Sequence, residues 1–164
     1  MRLYLMRHGP AEDQASSGRD FDRRLTADGR ALVRAMGAAL LRERTGSAPG
    51  GSALRVVSSP RVRARETAQI VREAIGAGST AVEFEEALSG DRAIPRELIS
   101  ALIKEGRDAL VVGHQPSIEE LTRSLLQPEP LVLRGFHTAT IVILAVKDAG
   151  FTVTSVLDPK AVRP

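Results

Sequence analysis

Apolar positions along the chain fall at two spacings, and the change from one to the other marks out the elements. Leu3, Tyr4, Leu5 and Met6 form an unbroken run, which predicts a short buried strand over Arg2 to Met6. Leu32, Ala35, Met36, Ala39 and Leu40 then recur at helical spacing, with Thr26 placed to cap the helix they define. Leu54 to Ser58 predicts a second strand. Ser59-Pro60 has the form of an N-cap followed by proline at the first helical position. The helix so opened carries Thr67, Ile70, Val71, Ala74 and Ile75 on one face and stops at Gly76.

The second half repeats the alternation. Val82 to Phe84 predicts a short strand. Pro95 opens a helix with Leu98, Ile99, Leu102 and Ile103, closed by Gly106. Ala109 to Val112 is a third apolar strand. Ser117 and Glu120 have capping-box spacing for a helix running through Leu126. Thr140 to Val146 and Phe151 to Leu157 predict two strands joined by a turn at Lys147 to Gly150. Strands alternating with helices imply an α/β fold, a three-layer sandwich whose central sheet is largely parallel and flanked by helices. There are no repeats, and the polar stretch Gly46 to Ser52 reads as a loop inside one domain spanning residues 1–164.

Composition narrows the chemistry. The absence of cysteine excludes disulfides, thiol nucleophiles and thiolate metal sites, and it suits a reducing, cytoplasmic setting. The apolar run at the N-terminus is ended by Arg7 and His8, too early for a signal core, and no run approaches membrane length. Only Lys104, Lys147 and Lys160 among the 23 basic residues are lysine. Coding bias accounts for such a balance; so does the use of several arginines on oxyanions, because guanidinium offers phosphate a rigid donor fork. With no Trp and one Tyr, the chain lacks a stacking platform for single-stranded nucleic acid.

Three predicted strands end in chemically notable residues: Arg7-His8-Gly9, then Ser59-Pro60-Arg61-Val62-Arg63, then Gly113-His114. Ligands of open α/β sheets bind beyond the carboxyl ends of the strands, so these segments are expected to converge. Taken singly, each has a plainer reading. A histidine at a strand end is commonly structural, and Arg61, Arg63 and Arg65 have the spacing of a solvated helix face. Taken together, two imidazoles and at least two arginines suit phosphoryl transfer, where catalysis consists of positioning and charge stabilisation. One imidazole can attack phosphorus while nearby guanidinium groups disfavour its protonation. His137 has no partner pattern and reads as structural or exposed. Glu12 and Asp13 fringe the first motif. No Walker-type loop, dinucleotide fingerprint or metal-ligand spacing is present, and no cofactor is expected.

At these residues the sequence resembles the histidine phosphatase (phosphoglycerate mutase-like) superfamily, and within it the SixA-type phosphohistidine phosphatases. The likeness rests on Leu5-Met6-Arg7-His8-Gly9, on Arg23-Arg24-Leu25-Thr26-Ala27-Asp28-Gly29, on Ser59-Pro60 through Arg63-Ala64 to Thr67, and on His114-Gln115-Pro116. It implies that His8 is the nucleophile, that Arg7 and Arg63 clamp phosphate, and that His114 is the second catalytic histidine. Gly9 would let the backbone approach the phosphate. The substrate would be a phosphorylated protein of the histidine-phosphotransfer kind or a small phosphorylated molecule, with no nucleic acid and no membrane involved. Larger members carry a catalytic glutamate after a Leu-x motif. Here Glu85 to Asp91 puts no acid in that frame, leaving Asp91 or Glu86 as the candidates. A metabolite phosphomonoesterase of the same fold and a non-catalytic phosphoprotein-binding module are the rival readings.

Overall fold

In the first strand, β1 (Arg2–Arg7), successive side chains leave on opposite faces of the sheet. Tyr4 and Met6 join one apolar cluster, while Leu3 and Leu5 join another. That division organises the computed structural model, which describes residues 1–47, 53–76, 79–126, 135–147 and 150–162. The remaining elements are α1 (Ala27–Ser47), β2 (Leu54–Ser58), α2 (Val62–Ile75), β3 (Ser79–Phe84), α3 (Arg96–Lys104), β4 (Ala109–Gly113), α4 (Ser117–Leu125), β5 (Ile141–Lys147) and β6 (Gly150–Leu157).

The strands form one sheet in the order β3-β2-β4-β1-β5-β6. The pairs β3–β2, β2–β4 and β4–β1 are parallel, whereas β1–β5 and β5–β6 are antiparallel. From β1 to β3 the chain advances in one direction across the sheet; it then turns back to β4. Right-handed crossovers therefore put α1 and α2 on one face and α3 on the other, where α4 also packs. Val33, Met36, Leu40, Ala68 and Val71 cover the face that carries Tyr4 and Met6. Ile99, Leu102, Ile118 and Leu121 cover the face that carries Leu3 and Leu5. This is the mixed, mostly parallel α/β sandwich that the alternation of periods implies.

Several local expectations change. Thr26 does cap α1, accepting the Gly29 N–H at 2.9 Å. The cap of α2, however, is Arg61 and not Ser59; the helix begins at Val62 because the chain leaves β2 extended, with Ser59 turned inward. The capping box at Ser117 does not form either. Pro116 is the residue before α4, and the Ser117 hydroxyl donates back to the His114 carbonyl at 3.1 Å. β3 begins three residues earlier than Val82, since Ser79 pairs with Leu54. The helix α1 runs on to Ser47, and residues 48–52 of the expected loop lie outside the described residues, as do 148–149 of the expected turn.

The start of α1 is pressed against the segment that follows β1. The Thr26 N–H donates to Pro10 O at 3.1 Å. A Cβ built on Gly29 would lie 2.1 Å from that same oxygen. Glycine-to-alanine in a helix ordinarily gains about 1 kcal/mol. Here the contact is with backbone that already holds the first loop, and overpacking of this kind costs typically 1–3 kcal/mol. We expect Gly29→Ala to lower the thermal unfolding midpoint and to impair His8 two residues upstream of Pro10. A midpoint equal to or above the wild-type value would contradict this packing.

Candidate active site

The loop after β1 starts by extending the parallel ladder. The His8 N–H donates to Gly113 O at 3.1 Å, and the Ser59 N–H donates to Val112 O at 3.0 Å. With Arg7 opposite Gly113 and Ser58 opposite Val112, this register delivers His8, Ser59 and His114 side by side at the strand ends. The imidazole centroids are 4.9 Å apart, with their planes tilted by 50°. His8, His114 and Arg63 are all buried, at 9%, 4% and 6% exposure.

The proton on each imidazole follows from its neighbours. His8 Nδ1 is 2.8 Å from Gly9 O, and a carbonyl can only accept; Nδ1 therefore carries the proton and Nε2 presents its lone pair. Arg63 Nε points at that lone pair from 3.4 Å. His114 Nε2 is 2.9 Å from Ser59 Oγ. That hydroxyl already accepts the Arg61 N–H at 3.2 Å, and its own buried proton needs an acceptor. Donation to His114 Nε2 supplies one, which puts the imidazole proton of His114 on Nδ1.

Among the described residues, the buried side-chain polar atoms without a hydrogen-bond partner are Arg7 Nε, Arg61 Nε, His114 Nδ1 and Thr140 Oγ1. The first three belong to the residues gathered here, and all three are donors. A buried donor left unpaired costs about 1–3 kcal/mol. Donors of this kind, drawn together, are matched by an anion.

Burial is the main reason both imidazoles are neutral. It lowers His8 to about 4, against the Gly9 hydrogen bond that favours the charged form, and Arg63, Arg7 and Arg23 lower it further. Burial likewise lowers His114 to about 2, with His8, Arg63 and Arg61 adding to the effect. The guanidinium pKa values of Arg7 and Arg63 are drawn below normal, again chiefly by burial. Arg7 is anchored by its Nη1, which donates to Phe136 O at 3.0 Å.

The sequence-predicted residues thus fall into groups. His8, Arg63 and His114 meet, and Arg7 adjoins His8 at the end of β1. A Cβ on Gly9 would lie 2.4 Å from Val33 Cγ2, so α1 packs closely against this glycine. The Gly9 N–H donates to Thr67 Oγ1 at 3.0 Å, and the Thr67 hydroxyl donates to Arg63 O at 2.7 Å, tying the first loop to α2. Arg65 is exposed, lying 5.2 Å above the Phe84 ring. Arg61 differs from a solvated helix arginine: its side chain is 16% exposed and bridges Asp20 and Asp91. Glu12 is a loop tie, its carboxylate accepting the Arg24 N–H at 3.0 Å, and Asp13 is exposed. His137 is half-buried. Neither acid candidate bonds to a histidine: Asp91 takes Arg61, and Glu86 accepts from Ser89.

Sequence reasoning overlooked three participants. Ser59 and Thr67 lie within the Ser-Pro frame already singled out, so their signal was present. Asp20, which Arg63 grips through Nη1 to its carbonyl at 2.8 Å and through Nη2 to its carboxylate at 3.1 Å, left no pattern.

A mostly parallel α/β sheet that gathers two neutral imidazoles, the buried Arg63 and the half-buried Arg7 beyond its strand ends has the architecture of a histidine-based phosphatase. The chain matches the model of the histidine phosphatase superfamily (branch 1) over residues 3–90, and it belongs to that family. It is similar to the protein histidine phosphatase SixA solved with tungstate, at 25% identity, over 99% of this chain and 100% of that one, with a TM-score of 0.81. A protein from Agrobacterium tumefaciens assigned as a SixA phosphohistidine phosphatase is 24% identical over 96% of this chain and 97% of its own, with a TM-score of 0.76. A protein from Nakamurella multipartitia with the same assignment is 31% identical over 96% and 95%, with a TM-score of 0.66. No curated protein matches the chain. Among the described residues no helix is long and apolar enough to cross a membrane.

The histidine pKa values have a consequence for stability. Both lie below the ordinary value of about 6.5 expected in the unfolded chain, so the unfolded state binds protons first. The neutral imidazoles' contribution is complete above about pH 6.5 and falls as pH drops toward their folded values, by up to about 1.4 kcal/mol per pH unit for each. In an NMR titration from about pH 8 to pH 5, neither ring should show a protonation midpoint. A midpoint near 6.5 for His8 would overturn the burial argument.

Proposed function

We propose that the protein is a phosphohistidine phosphatase, acting as one domain in the cytoplasm on a phosphorylated protein or a related phosphoramidate. The observation that carries this reading is the His8 geometry: Nδ1–H is fixed on Gly9 O, and the Nε2 lone pair lies 3.4 Å from Arg63 Nε. His8 Nε2 attacks phosphorus, and the new P–N bond forms as the bond to the substrate's imidazole nitrogen breaks. The other nitrogen of that ring carries a proton taken from solvent, so neutral imidazole leaves with the electron pair of the broken bond. Water then attacks phosphorus, the P–Nε2 bond breaks, the water proton returns to solvent, and inorganic phosphate leaves. Arg7 and Arg63 balance the equatorial oxygens, and His114 Nδ1–H donates to one of them. That the similar SixA protein was solved in complex with tungstate, a phosphate-like oxyanion, is consistent with a phosphoryl substrate.

The preference for phosphohistidine follows from the acids. An alcohol must receive a proton to leave well, and a positioned acid is worth typically 10²–10⁴-fold. Asp91 and Glu86 are engaged elsewhere. The carboxyl of Asp20 is held near 2, by Arg23 first and then by Arg63 and Arg61, so it has no proton to give. A phosphohistidine ring can take its proton from solvent on the free ring nitrogen, since imidazole has an ordinary pKa of about 6.5, and it then leaves as neutral imidazole without a positioned acid.

The first test is chemical. His8→Ala should abolish turnover with the fold intact, and quenched wild-type enzyme should carry an acid-labile, base-stable phosphoryl group. Undiminished turnover in His8→Ala would remove the nucleophile assignment. The second concerns substrate: kcat/KM on a phosphohistidine protein should exceed that on alkyl or sugar phosphates by at least about tenfold, with aryl phosphates between. A faster sugar phosphate whose turnover collapses in Asp91→Asn or Glu86→Gln would favour a metabolite phosphatase. Among the arginines of the second motif, Arg63→Ala should lose several kcal/mol of transition-state stabilisation, whereas Arg65→Ala should be near wild type. Equal losses would show that the clamp lies elsewhere.

A further inference from the structure

The carboxylate of Asp20 stands where a clamp arginine should be gripping phosphate. Residue 20 lies in a short helical turn, Asp20–Asp22, carried by the loop between β1 and α1. That loop is closed at its neck. Ala11 bridges Leu25, the Glu12 N–H donates to Arg24 O at 2.9 Å, and the Arg24 N–H returns to the Glu12 carboxylate. A closed neck makes this a compact loop with a defined tip, so the place of Asp20 is set by the fold.

At the tip, one carboxylate meets three guanidinium groups. Oδ1 accepts from Arg23 Nη1 at 2.9 Å, and Oδ2 accepts from Arg63 Nη2 at 3.1 Å and from Arg61 Nη1. Arg61 turns its other nitrogen, Nη2, to Asp91 Oδ1 at 2.6 Å. Asp20–Arg61–Asp91 thus forms a bridge from the first loop to the segment after β3. Gly90, next to Asp91, abuts the other histidine: a Cβ there would lie 2.8 Å from His114 Cβ. The bridge therefore has one foot on the Arg63 side and the other beside His114.

We propose that Asp20 is a built-in competitor for the phosphoryl oxyanion, seated on Arg63 in the free enzyme and displaced when substrate binds. The proposal rests on the phosphatase reading and adds a ligand-exchange step to it. Arg63 presents two donors along one edge, Nε toward His8 Nε2 and Nη2 toward Asp20. A phosphoryl group bound to that fork needs both donors, because a planar guanidinium grips an oxyanion bidentately. It cannot have Nη2 while the carboxylate holds it, nor sit comfortably beside a fixed negative charge. Asp20 is half-exposed, at 50% for the side chain, so water can solvate the carboxylate once it is released. Until then it satisfies guanidinium groups that burial would otherwise leave unpaired. A monoanion of similar size gains little by exchanging one carboxylate for another, whereas a phosphoryl dianion gains a second charge. The exchange thus favours dianionic phosphate over the carboxylates of ordinary metabolites.

The sign of one binding constant decides the matter. Calorimetric titration with orthophosphate near neutral pH should give a Kd about tenfold lower in Asp20→Asn and in Asp20→Ser than in wild type, about 1.4 kcal/mol. Asp91→Asn, which frees only the far end of Arg61, should tighten binding less. A Kd that is unchanged or raised in both Asp20 variants would overturn the proposal and make Asp20 a support for the clamp. A measurement on the unmutated protein guards against a folding defect in the variants. Saturating orthophosphate should move the Asp20 carboxyl ¹³C resonance and raise its pKa from its arginine-held value; an unmoved resonance also overturns the idea. Arg63→Ala separates this from the parent reading. If wild type binds no orthophosphate, or Arg63→Ala binds it as well as wild type, the phosphate site itself is misassigned. If Arg63→Ala abolishes binding while the Asp20 variants match wild type, only the competitor fails.

Discussion

Two backbone hydrogen bonds beyond the strand ends, His8 N–H to Gly113 O and Ser59 N–H to Val112 O, set everything in the pocket. They prolong the parallel pairing of β1 and β2 with the central strand β4 by one step. In doing so they carry three side chains of distant sequence to the same height above the sheet. A slip of one residue in either pair would turn the imidazoles onto opposite faces, because side chains alternate along a strand. The register is protected from slipping by burial on both faces. Leu3 and Leu5 are committed to one cluster, Tyr4 and Met6 to the other, and β4 divides Leu110 and Val112 from Ala109 and Val111 in the same way. The core thus acts on the site by holding two strand ends level.

Placement then determines protonation. Enclosed by strand ends and the start of α2, the histidines lose contact with water, and desolvation is the first cause of both lowered pKa values. The arginines add to it by repelling a positive ring. The same arginines would repel each other if nothing negative lay among them. Asp20 supplies that charge from a loop whose neck is tied to its own start, and Arg61 shares it with Arg63. The cluster of like charges is thus balanced from within the chain.

Much of this was legible in the chain because it rests on short-range rules. The apolar runs and the 3.6-residue spacing marked β1 to β6 and α1 to α4, and proline and glycine marked several ends. Strand ends marked the pocket, since topology brings them together whatever the loops do. The errors are equally physical. Ser59 and Ser117 both had the signature of helix caps; Ser59 gave that role up to a tertiary contact and Ser117 to a local backbone bond. The Ser59 hydroxyl turns to His114 Nε2, and that of Ser117 turns to the His114 carbonyl. The partner of Ser59 is 55 residues away, which one-dimensional capping rules cannot see, whereas that of Ser117 is three residues back, in the turn that opens α4. Asp20 was invisible for a related reason. It belongs to no periodic element, and its partners Arg61 and Arg63 lie some forty residues on, at separations of 41 and 43.

The serine that failed as a cap shows how one substitution of roles serves both fold and chemistry. Were Ser59 to cap α2, the helix would start two residues earlier, and Arg61 and Arg63 would be rotated within its first turn. With the chain extended through Arg61, the helix starts at Val62 and Arg63 is buried on the face that meets His8. The freed hydroxyl accepts the Arg61 N–H and passes its proton toward His114. The Ser59 hydroxyl thus touches both the turn that opens the helix and the ring that fixes the tautomer of His114. Capping by Ser is worth about 1 kcal/mol to a helix. A correctly aimed donor to a developing oxyanion is worth about 3–4 kcal/mol to a transition state. On the proposed reading, in which Arg63 is such a donor, the cap given up at Ser59 is the smaller of the two quantities.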